Sequence, residues 1–229
     1  MLNIGLVGGM SWESSLEYYR LLNRGVEDRL GGLHSARLVL STVEFAELTE
    51  LQRAGRWDDV ATLLAECARG VEAAGADLLL MCTTAFHKVA DQVEAAVGIP
   101  FLHLADVVAR ACTARGLRTV GLVGTSFAME EPFFVERLAS HGLEMVVPDQ
   151  RHHAPVDDII YGELVHGKVV DSSRAVVVGV IDELWDAGAE GVILGCTELE
   201  MLVKQADCDL PVFPCTTLHV DAALDQALR

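Results

Sequence analysis

The sequence is most informative at first for what it leaves out. No stretch of its 229 residues approaches the roughly 20 consecutive apolar residues of a membrane span. The start Met1-Leu2-Asn3-Ile4-Gly5 reads directly as a strand, so no signal peptide is expected. Basic residues are scarce. There are 17 Lys and Arg against 34 Asp and Glu, a net charge of −17, which argues against nucleic acid and anionic membranes as partners. That deficit does not by itself argue for a cationic substrate, because local dipoles at a buried site can override the global field. The six cysteines (Cys67, Cys82, Cys112, Cys196, Cys208, Cys215) form no CxxC pair and have no metal-ligand spacing. They are expected to be reduced thiols of a cytoplasmic protein, mostly small core residues, and no metal site is expected. GxGxxG and GxxxxGK[ST] are both missing, so the turn Gly8-Gly9-Met10-Ser11 is not a phosphate loop. It reads as a tight turn that lets the backbone approach a small ligand.

What is present is a globular core and a duplication. Hydrophobic residues make up 51% of the chain and charged residues 22%, enough to bury a substantial interior. Apolar runs at 2–7, 36–41, 77–82, 98–103 and 119–123 read as strands. They alternate with helical spacing over 11–29, 45–54, 57–74, 84–97, 106–115, 153–166 and 171–187. Residues 74–84 line up without gaps on 187–197, an offset of 187 − 74 = 113. Residues 3–9 echo 119–125, and Ile99-Pro100-Phe101 resembles Leu210-Pro211-Val212. The expectation is an α/β protein of two pseudo-symmetric, doubly wound parallel-sheet domains, residues 1–115 with 208–229 and residues 116–207. The active site is expected in the cleft between their strand ends.

The chemistry centres on Gly195-Cys196-Thr197-Glu198, where an apolar strand ends in a small-residue turn and a helix begins. Free N–H groups and the helix dipole at such a turn lower a thiol's pKa and attract anions. The offset of 113 pairs Cys196 with Thr83, not with the neighbouring Cys82. A small carboxylate held by the two turns would present one face of its α-carbon to Cys196 and the other to Thr83. A thiolate can abstract the α-proton there, donors around the carboxylate stabilise the enolate-like intermediate, and the opposite group returns a proton. Inert packing for Cys196 and helix capping for Thr83 are the plain alternatives. His87, one turn into its helix, either contacts a ligand or caps a helix. Glu198 either orients the site or is a charge at a helix start.

Several motifs together resemble the aspartate/glutamate racemase family. They are residues 4–14 (Ile4 through Met10-Ser11-Trp12 to Ser14), Leu30-Gly31-Gly32-Leu33-His34-Ser35-Ala36, His87-Lys88-Val89-Ala90 and Gly195-Cys196-Thr197-Glu198. The likeness runs over essentially the whole chain and is closest to the broad-specificity amino-acid racemase branch, which also has Thr at the first catalytic position and Cys at the second. The resemblance implies two flavodoxin-like domains, a homodimer, no cofactor, and inversion at Cα of acidic amino acids. It places Thr83 and Cys196 as the acid/base pair. Around the substrate it places Met10, Ser11, Gln52, Thr84, Ala85, Thr125, Thr197 and Glu198. Where the family usually continues with Asn and Thr after its first catalytic position, this chain has Thr84 and Ala85. Two other functions fit the same residues: a single-cysteine decarboxylase or lyase of the superfamily, and a catalytically silent binding protein.

Overall fold

The computed structural model describes residues 1–229, and they divide into two compact units, Met1–Leu104 with His219–Arg229, and Ala105–Leu218. The first unit is built on β1 (Ile4–Gly8), α1 (Trp12–Leu30), β2 (Leu38–Thr42), α2 (Phe45–Arg53), α3 (Trp57–Ala73), β3 (Leu78–Met81) and α4 (Ala90–Ala95). Its three strands are parallel, in the order β2-β1-β3. β1 and β3 are buried throughout, as their uninterrupted apolar runs require of a parallel sheet covered on both faces. The core on one face gathers Val7, Leu48, Leu64, Val71, Leu79 and Phe86.

The second unit opens with α5 (Leu104–Ala114), which starts at the boundary residue. There follow β4 (Thr119–Val123), α6 (Ser126–Glu130), α7 (Pro132–Ala139), β5 (Glu144–Val146), α8 (His153–Gly162), α9 (Asp171–Asp186), β6 (Val192–Leu194), α10 (Leu199–Leu202), β7 (Val212–Pro214) and α11 (Cys215–Ala227). The sheet is again all parallel, in the order β5-β4-β6-β7. The chain leaves this unit within α11 and ends in the first.

The duplication extends to individual hydrogen bonds. Gly5 pairs with Leu79 in the first sheet and Gly121 with Val192 in the second, at offsets of 121 − 5 = 116 and 192 − 79 = 113. Asp77 N donates to Asn3 O at 2.7 Å, and Glu190 N to Thr119 O at 2.9 Å. The acid of each pair then accepts from the start of the first strand: Asn3 N to Asp77 Oδ2 at 2.8 Å, and Thr119 N to Glu190 Oε2 at 3.0 Å. Leu79 N reaches Pro100 O at 2.9 Å as Val192 N reaches Pro211 O at 2.8 Å.

Four sequence expectations change. The boundaries at 115 and 208 move, because β7 pairs with β6 and carries residues up to Leu218 into the second unit, which also takes α5. Residues 98–103 make one isolated bridge, Leu79 to Phe101, in place of a strand. The helix expected over 84–97 is a 3-10 turn (Ala85–Val89) followed by α4, and the one over 153–166 ends at Gly162 before a separate 3-10 turn. β5 was not among the expected strands.

Candidate active site

In each unit the sheet carries two adjacent strand-end turns, held together by one ladder bond beyond the strands. In the second unit Gly195 N donates to Val123 O at 2.7 Å, which sets the Cys196 turn beside the Thr125 turn. In the first, Cys82 N donates to Val7 O at 2.9 Å, which sets the Thr83 turn beside Met10-Ser11.

The first-unit turn is a hydroxyl lattice. Ser11 is the N-cap of α1, and its side chain accepts from Ser14 N at 3.3 Å. Ser14 Oγ donates to Cys82 O at 2.9 Å, tying α1 to the Thr83 turn. Ser15 Oγ accepts from Gly9 N at 2.8 Å and donates to Ser11 O at 2.9 Å. Gly9 has φ +91°, and a Cβ there would strike the Val43 carbonyl, so the turn needs glycine. The Met10–Ser11 peptide is cis. Met10, Ser11, Thr83 and Thr84 are all buried. The Thr84 hydroxyl is buried with no hydrogen-bond partner in the protein. No side chain caps the 3-10 turn that Thr84 begins. Ala85 is half-buried at its first position, and Gln52 is half-buried one residue from the end of α2.

His87 resolves toward capping, though not of its own helix: its Nε2 accepts from Leu104 N at 3.3 Å, the first residue of α5. Thr125 is also a cap, accepting from Ala128 N at 3.2 Å at the start of α6. Cys82 is fully buried, and burial pushes its thiol far up, so it packs.

The second-unit turn sets a thiol and a hydroxyl against one carboxylate. Cys196, Thr197 and Glu198 are buried, at 8%, 3% and 4% exposure. One carboxylate oxygen, Glu198 Oε2, accepts from Cys196 Sγ at 3.0 Å and from Thr197 Oγ1 at 2.6 Å. This reverses the expected electrostatics. The thiol is raised well above its ordinary value, first by burial and then by the charge and hydrogen bond of Glu198. Backbone N–H groups of Glu198 and Leu199 pull the other way and lose. The helix expected to supply a strong dipole is the four-residue α10, too short to offset a neighbouring carboxylate. Spacing alone placed the thiol at a helix start; only the fold shows where the acid two residues on is pointed. No three His, Cys, Asp or Glu side chains gather closely enough to hold a metal ion.

Two duplicated parallel-sheet units, each ending its central strands in a buried polar turn, define the racemase two-domain fold. The chain belongs to the Asp/Glu/hydantoin racemase family, whose model matches residues 7–223. It superposes with TM-score 0.92 on the crystal structure of a provisionally assigned Asp/Glu racemase from Yersinia pestis, at 44% identity over 100% of both chains. An aspartate racemase homologue from Pyrococcus horikoshii OT3 gives TM-score 0.89 and 31% identity, again over 100% of both. In sequence, a glutamate racemase from Roseiflexus sp. (strain RS-1) is 28% identical over 174 residues, 75% of this chain and 61% of that protein.

Proposed function

We propose that the protein is an amino-acid racemase acting on aspartate, glutamate or a related amino acid without a cofactor, with Cys196 and Thr83 exchanging protons at the same α-carbon. The observation that carries the reading is the buried Cys196–Glu198 hydrogen bond, set in a turn whose gap-free counterpart holds Thr83 and the unpartnered Thr84 hydroxyl. A thiol raised by burial must lose its proton to act as a base, and Glu198 Oε2 is already positioned to accept it. The resulting thiolate takes the α-proton, and the C–H electron pair moves into the substrate carboxylate. Thr84 Oγ, lacking any protein acceptor or donor, supplies a hydrogen bond to that carboxylate as its charge grows. A proton delivered from Thr83 to the opposite face inverts the centre.

A threonine hydroxyl is far less acidic than a thiol, whose free pKa is about 8.5. Delivery from Thr83 is therefore the harder half of the reaction. The presence of a single thiol in the duplicated pair also favours a second reading, decarboxylation or elimination with Cys196 as sole proton donor. Incubating L- and D-amino acids with the protein in D2O separates the two. Racemisation predicts α-deuterium and appearance of the antipode, both abolished in Cys196→Ser and inversion selectively lost in Thr83→Ala. Release of CO2 or ammonia without inversion would replace it with the second reading, and no exchange with any amino acid would remove both.

A further inference from the structure

Glu200 is a buried acid with no cation beside it. It stands on α10 at 6% exposure, and its carboxylate is held by the start of α11. Oε1 accepts from Thr216 N, and Oε2 from Thr217 N at 3.3 Å and Thr217 Oγ1 at 3.0 Å. All three donors are neutral. No lysine, arginine or histidine pairs with the carboxylate, and burial is the first cause of the shift that pushes it up to about 7. Buried carboxylates are ordinarily paired with a cation, because neutral donors repay only part of the lost hydration. Two carboxylate oxygens offer about four lone-pair directions, and three are taken, so one remains on Oε1.

Glu200 lines a hollow of about 130 Å³ in the second unit, with Lys204 and Thr217 as its other polar edge and Val203, Val212 and Pro214 as an apolar wall. Lys204 Nζ donates to the Glu200 main-chain carbonyl, which uses one of its three protons and leaves two. Gln205, also at the hollow, spends both amide protons on Cys208 O and Leu210 O, while its Oε1 accepts from Val212 N. The charged capacity left over is one acceptor direction on an anion and two protons on a cation, beside a small apolar surface.

We propose that this hollow is a binding site for a free α-amino acid of about alanine's size, its ammonium donating to Glu200 and its carboxylate accepting from Lys204. Three observations select that class. The charges answer each other at both ends: an amine alone would leave Lys204 unmatched, and a carboxylate alone would leave Glu200 so. A metal ion needs several oxygen ligands, where one carboxylate with one open direction is offered. The volume sets the size. A cavity of about 150 Å³ takes one benzene ring, so one of about 130 Å³ takes the roughly six heavy atoms of alanine, with the methyl on the apolar wall.

None of the lining residues belongs to the Cys196 or Thr125 turn, so the inference is independent of the reaction proposed above. Calorimetric titration of the whole chain at about pH 8, where Glu200 is ionised, tests it. L-Alanine should bind. Ethylamine and propionate, which each carry one of its two charges, should bind about tenfold or more weakly. Glu200→Gln keeps the size of the side chain and should weaken L-alanine and ethylamine by about tenfold or more. Lys204→Met should weaken L-alanine and leave ethylamine as it was. Should Glu200→Gln fail to melt cooperatively, Lys204→Met, at an exposed side chain, carries the test. The binding that depends on Glu200 should be the same in Cys196→Ser, which tells this hollow apart from the reaction site. No binding of L-alanine to the wild type would overturn the proposal. So would binding that survives both substitutions, or ethylamine or propionate binding as tightly as L-alanine.

Discussion

At the scale of single residues, Glu198 adds its charge and a hydrogen bond to the burial that already holds the Cys196 thiol up. Its carboxylate accepts the thiol's hydrogen bond and, in the reaction proposed above, also receives that proton. The two effects separate in Glu198→Gln, which keeps the size of the side chain and removes its charge. Without the charge and the acceptor, two of the causes that hold the thiol up disappear, so Cys196 should ionise at lower pH than in the wild type. The pH profile of its alkylation by iodoacetamide, followed at that site by peptide mass, reads this directly. Racemisation should nevertheless fall, by about 10²-fold, the usual worth of one positioned proton acceptor. A thiol that is easier to ionise in an enzyme that is slower is the signature of proton transfer to Glu198. Unchanged turnover would reduce Glu198 to an anchor for Thr197. None of this was readable from the spacing Cys-Thr-Glu, which fits a depressed thiol equally well. The sign depends on burial and on the direction of one side chain, and both are tertiary.

At the scale of elements, α11 is held at its start and near its middle by two buried titratable groups with opposite signs. Glu200 accepts from Thr216 N, from Thr217 N at 3.3 Å and from Thr217 Oγ1 at 3.0 Å at the first turn of the helix, and burial pushes it up to about 7. His219 sits between Tyr18 OH, 2.8 Å from its Nδ1, and the Leu102 carbonyl, 2.7 Å from its Nε2, and burial pushes it down to about 4. The carbonyl can only accept, so Nε2 carries the proton and Tyr18 donates to Nδ1. His219 binds fewer protons folded than unfolded, so its stabilisation is complete above about pH 6.5 and is lost as pH falls toward 4. Glu200 binds more protons folded than unfolded, so its stabilisation is complete below about pH 4.5 and is lost as pH rises toward 7. Each spans about 3 kcal/mol over nearly the same window, and in the wild type they offset. Urea titrations between pH 4.5 and 6.5 should therefore expose them singly. Glu200→Gln should lose stability on acidification, and His219→Asn should gain it relative to its own value at pH 6.5. Parallel slopes in the two variants would contradict the assignment.

Both groups escaped the sequence reading because neither belongs to a motif, and each acquires its shift only from what packs around it. The elements that were legible were those with local signals. The buried runs 77–82 and 119–123 gave strands, and the helical spacing over 11–29 and 57–74 gave α1 and α3. β5 was missed because a three-residue edge strand with Glu144 exposed has no apolar run to announce it. Residues 98–103 were over-read for the opposite reason: an apolar segment around Pro100 sits at the sheet edge with a single bridge, while its copy at β7 pairs fully. The resemblance of those two Pro segments was itself the clue that β7 belongs to the second sheet, since each occupies the fourth position of its own unit.

At the scale of the whole chain, the duplication is faithful in backbone and broken in chemistry. The offset of 113 carries Cys196 onto Thr83, Thr197 onto Thr84 and Glu198 onto Ala85. One copy has a thiol hydrogen-bonded to a carboxylate; the other has a hydroxyl with nothing acidic two residues on. The buried threonine between them is the only chemical group the two turns share. A racemase built this way should deuterate its substrate with retention faster than it inverts it, starting from the antipode whose α-proton Cys196 removes, because the same thiol can return a proton readily and Thr83 cannot. The equilibrium constant of unity still forces equal kcat/KM for the two antipodes, so the asymmetry must appear in this ratio and in kcat and KM taken separately. Rebuilding the missing half tests the argument. Thr83→Cys alone should raise inversion relative to retentive exchange. Adding Ala85→Glu should raise it further, by about 10-fold or more, because the new thiol then has the proton acceptor that its counterpart has. Ala85 is half-buried and packs against the core of the first unit, so melting temperatures of the single and double variants will show whether the turn tolerates the longer side chain. If inversion and retentive exchange keep the wild-type ratio in both variants, proton delivery at residue 83 is not what separates the two halves.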